Sequence, residues 1–236
     1  MGVMARRILA FLVVFVVAAP PARAERKLAK TSSKSRTRSD RVEKAPDVPA
    51  DHQGYMLAAG LGGGTAPGGA MVGLAVNGAY RWPWDENYVE AHGAFTGALS
   101  GGSLTQFFLT GVRLGSPLGQ TGLVGVAGLG YRRVALGMPF GDPHVYHGAA
   151  FEGALYTDLA PDWRTEVGIE MIYPAGGPNG ADLVIGFGAH AQALYRFGDL
   201  ALFGRYELIE LHARFQMGST DDASHLISVG VRSVFW

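Results

Sequence analysis

The sequence contains no cysteine. That excludes disulfides, thiolate nucleophiles and Cys-ligated zinc or iron–sulfur centres together. Charged residues are scarce, at 17% against the roughly 25% of soluble domains. Lysine disappears altogether after Lys44, although a soluble surface normally carries many. The formal net charge is zero, which argues against bulk binding of nucleic acid. No helix-period segment interrupts residues 54–236, and the glycine run from Gly60 to Gly64 opens no helix, so it is not a phosphate-cradling loop. What the chain has in excess is glycine, 35 of 236 residues, in a composition that is 48% hydrophobic. Such a chain is too apolar to remain disordered.

Three segments follow one another. Residues 1–24 carry Arg6-Arg7, an apolar stretch from Ile8 to Ala19, then Pro20-Pro21-Ala22-Arg23-Ala24. This is a positive start, a short apolar core and a small-x-small site, the pattern of a cleaved export signal. The apolar run stops short of the about 20 residues that a membrane-crossing helix needs. Residues 25–53 form a basic linker: eight Lys+Arg and five Asp+Glu lie between Glu25 and Asp51, with six cations and no acid from Arg26 to Arg38. With almost no large apolar side chain, it is expected to be disordered. Its cations over residues 26–44 could meet anionic lipid head groups or acidic envelope polymers, or act as a plain solvated spacer. Residues 54–236 hold nine Arg against fifteen acids.

In this third segment the apolar pattern has period 2, which indicates strands with one apolar face. From Asp182 to Phe197 the odd positions are Leu183, Ile185, Phe187, Ala189, Ala191, Ala193, Tyr195 and Phe197; the even ones include Gly186, Gly188, His190, Gln192 and Arg196. From Trp163 to Tyr173 the odd positions are again apolar, Thr165 excepted, against Arg164, Glu166, Gly168 and Glu170. Ten such runs can be marked, at 54–64, 70–82, 87–99, 103–115, 121–134, 146–159, 163–174, 182–197, 200–215 and 224–236. They are long for soluble strands of about 5–6 residues and suit a bilayer, which needs about 9–11. Short turns (82–86, 116–120, 160–162, 198–199) alternate with mostly longer connections (65–69, 100–102, 135–145, 175–181, 216–223). That predicts an all-β, closed antiparallel transmembrane barrel, an up-and-down meander of about ten strands, with eight as the alternative count. A soluble, lipocalin-like cup would reverse the two faces.

Aromatic residues cluster near strand ends. Tyr55, Tyr80, Trp82, Trp163, Tyr195, Phe197 and Phe235 fall at the short-turn end, and Tyr131 and Tyr173 at the other, as in the aromatic girdles of membrane barrels. The final strand, Ile227-Ser228-Val229-Gly230-Val231-Arg232-Ser233-Val234-Phe235-Trp236, alternates up to a terminal aromatic.

With its signal, its alternating runs and this aromatic last strand, the chain resembles the small bacterial outer-membrane β-barrel proteins. The resemblance implies outer-membrane lipid around the barrel and barrel-assembly machinery that reads the C-terminal strand. Trp236 lies one residue beyond the expected end, which leaves the phase of that strand open.

The same phase turns Arg81, Glu90, His92, Arg113, Arg132, Glu152, Asp158, Arg164, Glu166, Glu170, Asp182, His190, Arg196, Arg205, Glu207 and Arg232 inward. Cations and anions are mixed, so mutual pairing that fills the lumen is expected. Arg164, Glu166, Glu170, Arg196, Arg205 and Glu207 should interlock across strands seven to nine. Arg205 and Glu207 are odd whereas Glu210, His212 and Arg214 are even, which predicts a β-bulge near Leu208-Ile209.

Three functions remain: a structural or interaction barrel with a filled lumen, a narrow channel for ions or small solutes, and an outer-membrane hydrolase acting on lipid or peptide. The acid–base candidates are Asp142, His144 and His147 in the longest connection, and Asp221, Asp222 and His225 in the last. No nucleophile motif of the acyl-hydrolase type stands beside a strand histidine, since His92 and His190 are flanked by Ala or Gly rather than Ser; two histidines do not make a metal site, and no cofactor is expected. The first reading is preferred, and the chain is read as a non-enzyme.

Overall fold

A computed structural model describes residues 54–138, 140–178, 183–215 and 218–233. The export signal and basic linker of residues 1–53 lie outside the described residues, as do Asp182, Phe235 and the other members of 234–236. Ten strands follow in chain order: β1 (Gly54–Ala66), β2 (Gly69–Trp84), β3 (Asn87–Ser100), β4 (Ser103–Pro117), β5 (Leu123–Leu136), β6 (His144–Ala160), β7 (Trp163–Gly176), β8 (Leu183–Phe197), β9 (Leu200–Phe215) and β10 (Gly218–Ser233). Each pairs antiparallel with its sequence neighbours, and β1 pairs with β10 to close the barrel. The end at which β1 starts and β10 stops is here called proximal, the other distal.

Alternation decides the two faces. Odd residues of β1, β3, β5, β6, β7, β8 and β10 point outward, as do even residues of β2, β4 and β9. The outer face carries Val72 at 67% exposure, Leu61 at 64% and Ile227 at 60%, with Leu74, Phe95, Leu129, Phe151 and Ile169 also exposed. So many large apolar side chains facing outward form a belt that water would disfavour and hydrocarbon would accept. The described girdle residues lie on this face. Tyr55, Tyr80 and Trp82 stack at 4.6 and 5.7 Å, and Trp163 sits 5.0 Å from Tyr195, with Phe197 nearby on β8, all at the proximal edge. Tyr131 and Tyr173 stand at the distal edge of the belt, not at the strand ends, since each strand continues beyond them.

Past that edge the polarity reverses. On β5, β9 and β10 outward positions become polar: Arg133 bonds Gln106 of β4 at 3.0 Å, Tyr206 bonds His225 at 2.7 Å, and His212 pairs with Asp221. Inward positions become apolar, and Phe107, Val134, Leu136, Tyr146, Ile172, Ile209, Leu211 and Leu226 form one buried cluster. Each large apolar side chain fully buried there contributes about 1.5–3 kcal/mol.

This reversal corrects two expectations. The pairings of β9 with β8 and β10 run without a register shift, so no bulge occurs at Leu208-Ile209. Arg205, Glu207, Ile209, Leu211 and Ala213 all point inward, and Glu210, His212 and Arg214 outward, on one unbroken phase. The irregularities lie between β6 and β7 instead, at His147/Gly148 and Asp158/Ala160. Nor are the distal connections generally long. β10 starts at Gly218, so Asp221, Asp222 and His225 are strand residues, and Gly101-Gly102 joins β3 to β4 with both φ angles positive. Such a turn matches the twist of a hairpin and requires glycine or a similar residue. Only 137–143 and 177–182 are longer.

Candidate functional site: the barrel lumen

The lumen has three levels. At the proximal mouth a cavity of about 460 Å³ is bounded by Met56, Ala79, Arg81, Glu90, Asp158, Arg164, Leu194, Arg196, Ala201 and Arg232, among others. Above it stands a column of charged side chains around a second space of only about 80 Å³. The apolar cluster fills the distal end.

The proximal pairs follow from register. Glu90 on β3 lies directly between Arg81 on β2 and Arg113 on β4. Its Oε2 accepts from Nε and Nη2 of Arg81 at 3.0 and 2.7 Å, and its Oε1 from Nε of Arg113 at 3.1 Å and from the same residue's Nη2. Arg164 donates to both carboxylate oxygens of Asp158, at 2.6 and 3.0 Å. Arg81 lies over the ring of Tyr88 at 3.8 Å and Arg164 over that of Tyr156 at 4.7 Å. These two tyrosines escaped sequence reasoning, although each shares the inward phase of the acid two residues away, and a ring face is a natural seat for a guanidinium.

Deeper pairs cross the bore. Arg132 Nη2 reaches Glu207 at 2.6 Å and its Nη1 reaches Glu170 at 3.5 Å. Glu152 meets His92 Nε2 at 3.1 Å. Glu166 meets His190 Nε2 on the neighbouring strand β8 at 3.1 Å and, farther round the wall, Arg113 Nη1 on β4 at 3.8 Å. The expected interlock across β7, β8 and β9 is therefore corrected. Among its six members only Arg205 and Glu207 pair with each other, at 3.4 Å, and Arg196 turns to the Gly198 carbonyl at the mouth. The bore is narrow enough for long side chains to reach the far wall. Direct neighbours can also repel: Glu152 and Glu170 stand opposite each other in register, an unfavourable like-charge pair, and each finds its partner elsewhere. Glycines make room for the column, and a Cβ at Gly168 would collide with the His190 ring.

At the distal end Asp222 Oδ2 accepts from Tyr146 Oη at 2.5 Å and contacts His144 Nδ1 at 2.8 Å. His144 and His147 fall on opposite faces of β6, and His147 packs 6.2 Å from Tyr131 outside the barrel. Asp142 stays in the connection before β6. The three do not converge, and among the described residues no group of three or more His, Asp or Glu could hold a metal ion.

No known family profile matches this chain, and no curated protein matches it. Among solved structures it is similar to Neisserial surface protein A (14% identity, TM-score 0.33, covering 77% of this chain and 96% of that one). It is also similar to a mutant porin of Rh. blastica (9% identity, TM-score 0.17, covering 76% and 99%). At these values the assignment of the fold rests on the strand register and the polarity of the two faces.

Proposed function

We propose that this chain is an integral β-barrel of the bacterial outer membrane with a sealed lumen, acting as a structural or interaction protein of the envelope. The single observation that carries the reading is the reversal of polarity along the bore. Most of the inward charged side chains are paired inside the apolar belt, and a buried apolar cluster around Leu136, Tyr146, Ile172 and Leu211 occupies the distal end. Ten strands lie near the size at which side chains just fill a barrel, far from the sixteen or so of open porins. Outer-membrane lipid is the partner that the outer belt fits. Contact of residues 26–44 with anionic envelope polymers, and of the C-terminal strand with assembly machinery, belong to the same proposal.

The test is conductance in planar bilayers. The natural chain should show no steady open level, whereas Leu136→Ala combined with Tyr146→Ala should conduct, because truncation hollows the seal. Steady conductance by the natural chain would favour the narrow-channel reading. Silence in both proteins, with the variant correctly folded, would show that the distal cluster is not the barrier.

A further inference from the structure

We infer that the proximal cavity is a binding site for a small organic oxyanion, a phosphate monoester or carboxylate with a compact apolar body. The observation behind it is Arg232. Its side chain makes no hydrogen bond and no ion pair with any described residue, and its Nε is buried without a partner. Glu90 and Glu166 attract it from a distance, while Arg81 and Arg164 repel it. An arginine cannot relieve this by losing its proton, and Arg232 is part-buried on the cavity wall, so a ligand in the cavity is the partner its guanidinium can reach.

The nearby acids are already engaged. Glu90 is saturated by Arg81 and Arg113, and Asp158 is held bidentately by Arg164. Asp162, the remaining acid of the rim, sits on the exposed turn after β6. Four arginines, Arg81, Arg164, Arg196 and Arg232, thus border a cavity whose acids leave Arg232 uncompensated. In register Arg232 stands between Ala58 and Ala201, whose small side chains keep its surroundings open. A guanidinium fork matches a carboxylate or phosphate bidentately. Met56, Ala79, Leu194 and Ala201 supply an apolar wall, and about 460 Å³ lies within the usual range of ligand cavities, about 300–1,000 Å³.

The experiment uses the folded full-length chain in detergent micelles, so it does not depend on whether the lumen conducts. Phenyl phosphate and benzoate are titrated by calorimetry, with benzyl alcohol as the neutral probe. At least one anion should bind saturably, benzyl alcohol should not, and whichever anion binds more tightly names the head group. Arg232→Gln should weaken binding by about tenfold or more, Arg232→Lys by less because the charge survives without the fork, and Arg133→Gln on the outer face should leave it unchanged. Arg196→Gln, at the rim, provides the same reading should Arg232→Gln fail to fold. Absence of saturable anion binding up to about 10 mM, equal binding of benzyl alcohol, or undiminished affinity in the folded Arg232→Gln variant would overturn the assignment.

Discussion

Replacing Glu90 by Gln tests whether the charged column is dry. Glu90 has a side chain only 4% exposed, and it accepts four hydrogen bonds from two guanidinium groups. Glutamine keeps the shape but removes the charge and turns an NH2 group toward donors that it cannot accept from. Arg81 tolerates the loss best, since its side chain is 25% exposed toward the mouth and stays stacked on Tyr88. Arg113 is left with Glu166 alone, at 3.8 Å. Breaking a buried pair costs about 3–5 kcal/mol, and the solvation open to Arg81 places this variant near about 3. At about 2–4 °C per kcal/mol for a domain of this size, melting in detergent micelles, followed by circular dichroism and heat-shifted mobility on gels, should fall by about 6–12 °C. The paired change Glu90→Met with Arg113→Met replaces ions by apolar groups of similar volume, and it should return to within about 1 kcal/mol of the natural chain. A Glu90→Gln variant within about 0.5 kcal/mol of the natural chain would refute the reasoning: water would then be screening the bore.

Two further outcomes are expected. Leu129, 57% exposed on the outer face of β5, should lose about 2–4 kcal/mol on replacement by Arg, whereas Leu123→Arg at the proximal end of the same strand should lose only about 0–1; equal losses in refolding titrations with lipid vesicles would place the belt wrongly. Asp222→Ala leaves the buried hydroxyl of Tyr146 without its acceptor, at a cost of about 1–3 kcal/mol, and faster amide exchange confined to the distal ends of β6 and β10 is the expected signature; unchanged exchange there would show that the contact carries no stability.

Alternation makes most of this fold legible in the sequence. The inward phase of Arg81, Glu90, Arg113 and Arg164 follows from their neighbours being Tyr80, Val89, Val112 and Trp163, and register then makes the cross-strand triad of Glu90 nearly automatic. The distal third was misread for one reason. A single rule, apolar outside, was carried through a level at which the surroundings change from hydrocarbon to water. At that level Glu210, His212 and Arg214 obey the soluble pattern, and an unbroken strand therefore looked like a phase error. The stretch 218–223, with Asp221 and Asp222 side by side, looked like loop for the same reason. Pairs that cross the bore were beyond sequence reasoning, because alternation says which way a side chain points but not how far away the opposite wall stands.

Those crossing pairs bear on how the barrel closes. A hairpin such as β1–β2 joins strands next to each other in the chain, from Gly54↔Arg81 to Ala66↔Gly69, whereas the seam between β1 and β10 joins the first strand to the last, among the described residues from Ala58↔Arg232 to Thr65↔His225. Hairpin pairing is local, and each hairpin can zip from its turn. Arg132 with Glu207 and His92 with Glu152 join residues 75 and 60 positions apart, and they can meet only once the sheet has curled. Before closure these polar groups are solvated at little cost, and afterwards each is buried opposite its partner. The column therefore adds little to any single hairpin and discriminates between open and closed sheets. Its specificity lies in curvature: a flatter or wider sheet would bury the same charges without bringing the partners within reach.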